Sequence, residues 1–356
     1  MKLFFDARYI RTDFHDGISR YSAELGCALA KLTKVTFIIS DAAQLISLPR
    51  NADYITIHAP TSVKEPFTAK LLNKYQPDVV FSPMQTMGTA GREFKLILTL
   101  HDMIYYRHRL PPQDLNPLIR LAWRAYHLSY VPQRVTLNHA DMIATVSNTS
   151  AREIEHARLT KRPVIVTPNA PRNLLKFVDT VEQRGAPKNL VFMGTFMPYK
   201  NVETLIQGMK WLPGRTLHLL SRIDQNRKTE LEALIPKNAD VIFHDGVSDE
   251  EYAALLAKNA VLVTASLDEG YGLPVAEALA MGVPAVVSDI SIFHEVAAGG
   301  ALYFDPTKPK EFADQVKKLD DKKLRDATIA HGVQHISTFN WQDSARTLLN
   351  AINSLV

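Results

Sequence analysis

Cysteine is almost absent: the 356 residues hold one, Cys27, so no internal disulfide can staple the chain. That usage fits a reducing compartment. Apolar runs are short, and none reaches the 18 or so residues that a membrane-spanning helix needs. The opening Met1-Lys2-Leu3-Phe4-Phe5 breaks off at Asp6, too soon for a secretory leader, and a cytoplasmic location is expected. In that setting the glycosylation sequon Asn148-Thr149-Ser150 carries little weight. No block of Lys and Arg and no interleaving of basic with aromatic residues points to nucleic acid, so no such partner is expected. A Gly-x-Gly-x-x-Gly fingerprint is missing from the first strand–helix junction. Gly-x-Ser-x-Gly and Gly-x4-Gly-Lys-Ser/Thr are absent too, which counts against elbow-type hydrolases and P-loop enzymes.

What is present reads as globular: 46% hydrophobic and 22% charged residues, in a chain long enough for two domains. The net charge of +4 is uneven, +8 over residues 1–180 and −4 over 181–356. Short apolar runs alternate with helical patterns along the whole chain. Ile18, Tyr21, Leu25, Ala28 and Leu29 share one helix face, and Asn116 to Asn138 predicts one long helix. Such alternation implies parallel sheets covered by helices on both faces. Pro168, Pro171 and Gly185-Ala186-Pro187 mark a change of character. The expected organisation is an α/β chain of two doubly wound domains facing a cleft. The first covers 1–170, with 171–189 as linker and 190–339 as the second domain. The final helix, 340–356, is expected to cross back to the first domain, anchored by Trp341.

One stretch concentrates chemistry. The apolar strand Ala260–Thr264 runs into Ser266-Leu267-Asp268-Glu269-Gly270-Tyr271-Gly272-Leu273-Pro274 and then a helix predicted over Pro274 to Met281. Pro in the first turn and Gly282 past the end are the expected punctuation. A strand, a glycine turn and a helix N-terminus form an anion cradle. Glu269 and Glu277 frame it with two carboxylates able to accept hydroxyl hydrogen bonds.

Glu269-x7-Glu277, set in Asp-Glu-Gly-Tyr-Gly-Leu-Pro-Val-Ala-Glu-Ala-Leu-Ala-Met-Gly-Val-Pro, resembles the nucleotide-sugar site of retaining GT-B glycosyltransferases of family GT4. Supporting pieces follow in the family's order: Gly17-Ile18-Ser19-Arg20-Tyr21, His101-Asp102, Val146-Ser147, Pro168-Asn169, Gly194 to Lys200-Asn201, and Phe243 to Tyr252. The resemblance covers nearly the whole chain. It implies a GT-B fold and transfer of a hexose from a nucleoside diphosphate sugar to a hydroxyl, with retention. Glu269 would contact the donor sugar, the backbone of Gly270, Tyr271, Gly272 and Leu273 would surround it, and Glu277 would hold the ribose. A helix-capping acid is the plainer reading of Glu269, and it serves Glu277 poorly.

Lys200 is placed to neutralise a diphosphate leaving group, or it is a solvated turn lysine. Family members often carry Arg just after the glycine, where Thr195 stands here; Arg222, after the next strand, is the candidate substitute. Gly17 lets the backbone approach a phosphate closely, or it simply starts a helix. His101, at a strand end, would lie against the donor sugar, or it is structural. Arg107, Arg109, Arg120 and Arg124 form either a basic face for an anionic acceptor or membrane surface or a solvated helix face. His331 and His335 are four apart but have no third ligand. Asp-x-Asp is absent, so no metal and no other cofactor is expected. Thr195 with Pro-x-Lys-Asn resembles bacterial mannosyltransferases that use GDP-mannose, while UDP-glucose or another UDP-sugar remains open. A glycolipid or polysaccharide is the expected acceptor. A catalytically silent GT-B module that binds a nucleotide sugar or a partner enzyme is the alternative, to which the missing cation lends some weight.

Overall fold

The computed structural model describes residues 1–13, 16–111, 117–182 and 185–356. The chain divides into two compact units, Met1–Asn169 with Asn340–Val356, and Ala170–Phe339. In the first unit the elements run β1 (Leu3–Asp6), α1 (Gly17–Ala30), β2 (Val35–Ile39), β3 (Asp53–Thr56), α2 (Thr68–Leu72), β4 (Val79–Ser82), β5 (Lys95–Thr99), α3 (Ile104–Arg107), α4 (Pro117–Tyr126), α5 (Val131–Asn138), β6 (Met142–Thr145), α6 (Asn148–His156) and β7 (Val164–Val166). The second runs β8 (Asn189–Phe192), α7 (Val202–Gly208), β9 (Thr216–Leu219), α8 (Gln225–Glu232), β10 (Asp240–Phe243), α9 (Asp249–Leu256), β11 (Ala260–Thr264), α10 (Leu273–Ala280), β12 (Ala285–Ser288), α11 (Ser291–Ala297), β13 (Ala301–Phe304), α12 (Pro309–Lys318) and α13 (Lys322–Ile336). The final helix, α14 (Trp341–Asn353), belongs to the first unit, where it packs on α1.

Each unit holds one wholly parallel sheet, ordered β3-β2-β1-β4-β5-β6-β7 and β10-β9-β8-β11-β12-β13. The continuous apolar runs are the central strands: every residue of β1, β4, β6, β11 and β12 is buried. At the edges, β3 and β10 are largely exposed or half-buried. A strand covered by helices on both faces has no polar side, so its sequence loses the two-residue alternation. Both sheets reverse strand order once, between β1 and β4 and between β8 and β11. Open parallel sheets bind ligands outside the carboxyl ends of the strands at such a point.

Two expectations need correction. The long helix predicted over Asn116 to Asn138 is two helices, α4 and α5; Asn116 itself lies outside the described residues. Pro132 sits in the first turn of α5. It has no N–H to give, and its ring would clash with the carbonyl four residues earlier, so a helix cannot run through Leu128 to Pro132. The described residues of 171–189, expected as a linker, fall within the second unit. Leu174 is buried, Glu182 N–H donates to Ala257 O at 2.7 Å, and Asn259 N–H donates to Glu182 O at 2.6 Å.

Candidate functional site

In the second unit the loops after β8 and β11 meet where the strand order reverses. After β8, the Gly194 N–H donates to Ser221 Oγ at 3.1 Å. Pro198–Lys200 forms one 3-10 turn, closed by Asn201 in the left-handed region at φ 50°. Three bonds fix this turn against the neighbouring loops. Asn201 Nδ2 donates to Ala265 O (3.1 Å) and Pro306 O (2.7 Å), and Leu267 N–H donates to Tyr199 O (2.7 Å). Lys200 is thereby delivered to the exit of β11. Its Nζ lies 2.5 Å from Glu269 Oε1, which also accepts from Ser266 Oγ at 3.0 Å. The Lys200 and Glu269 side chains keep 14% and 13% of their surface exposed, so the pair is shielded yet reachable.

Beyond Glu269 the chain turns sharply. Gly272, at φ +91°, caps α10, and a Cβ there would lie 2.8 Å from Phe293 Cε1, so both the backbone and the space demand glycine. No side chain caps this helix start, and Pro274 in its first turn has no N–H. Tyr271 is buried with its ring edge-on to Phe339, centroids 6.2 Å apart.

Glu277, in the middle of α10, is buried but not alone. Arg172 grips both of its oxygens, Nε to Oε1 at 2.5 Å and Nη2 to Oε2 at 3.2 Å, while Nη1 reaches Asp249 Oδ1 at 2.5 Å. Burial opposes the guanidinium charge, but hydrogen bonds and charges from Glu277 and then Asp249 outweigh it, and the Arg172 pKa rises above the usual arginine value. No sequence signal points to Arg172, which lies 105 residues from Glu277 inside the stretch expected to be a linker. Arg222 follows Ser221, the residue that holds the Gly194 turn, and its stem lies along Gly246, where a Cβ would come within 3.0 Å of Arg222 Cγ.

Gly17 and His101 belong to the first unit. Gly17 is exposed as the first residue of α1, whose start is capped by Asp16 accepting from Ser19 N–H at 2.8 Å. A carboxylate therefore already answers the helix dipole there. His101 follows β5 and packs its ring against Tyr21 of α1, centroids 4.9 Å apart. Tyr21 also meets Trp341 at the start of α14, and its hydroxyl bonds Thr167 Oγ1 at 2.6 Å. His101 Nε2 lies 2.8 Å from Pro83 O. A carbonyl only accepts, so Nε2 carries the proton and Nδ1 of the neutral ring is an acceptor. Burial pulls the His101 pKa below the usual histidine value, with the Pro83 bond and Asp16 partly opposing.

Arg107 pairs with Glu153 at 3.0 Å, which spends its charge locally. Arg109 and Arg124 are exposed and Arg120 half-buried, the last two on α4 among exposed Ile119 and Leu121. His335 Nε2 lies 2.9 Å from Glu295 O, a structural contact.

Comparison with known proteins gives the family. Residues 15–170 match Glycosyltransferase Family 4, and residues 178–335 match Glycosyl transferases group 1. An O-antigen chain mannosyltransferase, RfbU, of Salmonella typhimurium is 32% identical over 151 residues, 40% of this chain and 41% of the relative's length. O-antigen chain mannosyltransferase B of Escherichia coli is 27% identical over 281 residues, 73% of this chain and 71% of that protein. The fold superposes on sucrose-phosphate synthase from Thermosynechococcus elongatus with a TM-score of 0.75 at 17% identity, covering 99% of this chain and 98% of that one. The chain belongs to the GT4-like glycosyltransferases and has their GT-B fold.

Proposed function

We propose that this chain transfers mannose from GDP-mannose to a hydroxyl of a glycolipid or polysaccharide acceptor, with retention of the anomeric configuration. The observation that carries the reading is the Lys200–Glu269 pair, fixed at the strand-order reversal beside an uncapped helix start. Mannose is supported by two mannosyltransferase relatives, both of O-antigen chains, and these also support a cell-envelope glycan acceptor.

In this reading Lys200 turns from Glu269 to the donor diphosphate and stabilises the charge that grows as the sugar–oxygen bond breaks. Arg222 supplements it where Thr195 brings no charge. Glu269, released, accepts from the donor sugar's hydroxyls, and the amides of Gly270, Gly272 and Leu273 face the same group. Glu277 accepts from the ribose. In the first unit, His101 offers Nδ1 as an acceptor suited to a sugar hydroxyl. The acceptor attacks the face the diphosphate leaves, through an oxocarbenium-like state, with no protein nucleophile and no divalent cation. Arg109, Arg120 and Arg124, with Ile119 and Leu121 beside them, rest on an anionic membrane surface that carries the acceptor.

A thermal-shift panel of GDP-, UDP- and ADP-sugars tests the donor: stabilisation by GDP-mannose is expected, and by UDP-sugars alone would overturn that choice. Slow hydrolysis of GDP-mannose, undiminished by EDTA, is the expected activity without acceptor; no hydrolysis of any donor favours the silent binding module. Proton NMR of the glycoside product reads the anomer. Sedimentation with vesicles containing anionic lipid should carry the protein down at low salt, and no binding there would remove the membrane contact.

A further inference from the structure

In the second unit the loops after β9 and β10 carry two opposite charges that lie close together without pairing. Ile223 N–H donates to Asp245 Oδ1 at 3.1 Å, and Gly246 N–H donates to Leu220 O at 2.9 Å, so the two loops form one surface. Arg222, next to Ile223, lays its stem along Gly246, next to Asp245. Yet Arg222 and Asp245 make no ion pair among the described residues, and the exposed Asp245 keeps its second oxygen, Oδ2, without a partner. The backbone is bent to present that carboxylate. Asp245 has φ 54°, in the left-handed region that glycine enters freely and aspartate less so, and Gly246 follows at φ +104°. Such strain gathers at binding sites, where the surrounding structure holds it in place.

With the donor sugar at Glu269 after β11 and the diphosphate at Lys200 after β8, the nucleoside runs on past β8 in the strand order, toward the loops after β9 and β10. Arg172 ties the same region to α10, since it bonds both Glu277 and Asp249, the latter in the first turn of α9 just beyond Asp245. An ionised carboxylate only accepts hydrogen bonds. Guanine sets two donors side by side on its Watson–Crick edge, N1–H and the N2 amine. Uracil flanks its N3–H with two carbonyl oxygens, and adenine has an acceptor at N1, so a carboxylate is repelled by both.

We propose that Asp245 reads the base of the donor nucleotide. Its carboxylate accepts from N1–H and from the N2 amine of guanine, the latter at Oδ2, and so selects a guanosine over a uridine diphosphate sugar. The inference rests on GDP-mannose as the donor and on the diphosphate at Lys200. A mere brace for the Ile223 amide uses Oδ1 alone and makes no choice among bases.

The test is calorimetric titration of the full chain with GDP, inosine diphosphate, xanthosine diphosphate and UDP. Hypoxanthine, the base of inosine, lacks the N2 amine, and xanthine carries a carbonyl in its place. Hydrogen bonds to a charged group set the scale, so the intact chain should bind GDP about 10- to 100-fold more tightly than inosine diphosphate or UDP. Asp245→Asn tolerates the same backbone and keeps the acceptor for Ile223 N–H, but puts an N–H donor where Oδ2 was. In that variant GDP should weaken by about tenfold and xanthosine diphosphate tighten by about tenfold, with UDP unchanged within about threefold. Asp245→Gly, which suits a φ of 54°, should make GDP and inosine diphosphate equal. The proposal fails while the donor reading stands if the intact chain prefers GDP to UDP but not to inosine diphosphate. It fails likewise if GDP keeps its lead in both variants, if GDP and UDP weaken alike, or if xanthosine diphosphate gains nothing in Asp245→Asn. If the intact chain does not prefer GDP to UDP, or binds neither, the donor reading falls and the proposal with it.

Discussion

Two ion clusters sit at the strand-order reversals of the two sheets. At the end of β1, Arg8 lies between Asp6 and Glu65, with Nε to Asp6 Oδ1 at 2.8 Å and Nη1 to Glu65 Oε2 at 2.7 Å, and it also donates to His58 O at 3.2 Å. The Arg8 and Asp6 side chains are 0% exposed. Between β8 and β11, Lys200 meets Glu269 with a residual opening on both. The residue types, the place in the fold and the distances are alike. The difference lies in satisfaction and access. Arg8 has two carboxylates and a carbonyl for its fork, and burial, the largest influence on it, is overcome by Asp6 and Glu65, which hold its pKa above the usual arginine value. A ligand would have nothing to exchange there. Lys200 has one carboxylate partner and two further N–H donors, and both side chains keep some exposure, so an incoming anion has room to compete for it. A carboxylate at a strand end is therefore a weak pointer to function until its partners are counted.

The comparison breaks most visibly at Arg8. Arg8→Ala should cost about 3–5 kcal/mol of stability by leaving Asp6 and Glu65 buried without their cation, measured by urea unfolding. Lys200→Ala should leave the unfolding midpoint nearly unchanged and lower kcat by about 100- to 1000-fold, the scale of losing one donor to a developing charge. Equal stability losses in the two variants would erase the distinction between a sealed cluster and an accessible one. Gly272→Ala sharpens the second cluster. Strain at φ +91° and the clash with Phe293 should cost about 1–3 kcal/mol and lower donor affinity, since the turn carries Glu269.

The smallest expected effect concerns pH at His101. Its folded pKa lies below the unfolded value, so below about pH 6.5 the unfolded state binds the extra proton and stability falls with acid until the folded pKa is passed. His101→Gln keeps a donor for Pro83 O but does not titrate. Melting curves between pH 8 and 5 should show a shallower acid limb in the variant. Some slope should remain, because burial lowers the His127 and His218 pKa values as well. An identical acid limb in the variant would show that His101 contributes nothing to it.

Much of this was legible in advance for a local reason. The central strands show as apolar runs because both faces are covered, and Gly272 and Pro274 announce a turn and a helix start through their own backbone limits. Glu269 and Lys200 stand out because each follows a strand end, and Glu277 through its spacing from Glu269. The break between α4 and α5 is also written locally, in Pro132, but apolar spacing that continues on both sides of it masks the break. For Arg107 the sequence leaves a basic face and a solvated position both open, and its ion pair with Glu153, 46 residues on, has no local signal.

By itself, then, the sequence determined the alternation of strand and helix, the turns that follow the strands and the family. Hydrophobic period, turn residues and motif spacing all act within a few residues. Only the tertiary structure decided which charge answers which. Lys200 and Glu269 are 69 positions apart, Arg172 and Glu277 are 105, and Arg8 and Glu65 are 57. Whether such a pair is sealed or reachable depends on the strand order and on what packs above it, and no pattern along the chain records either.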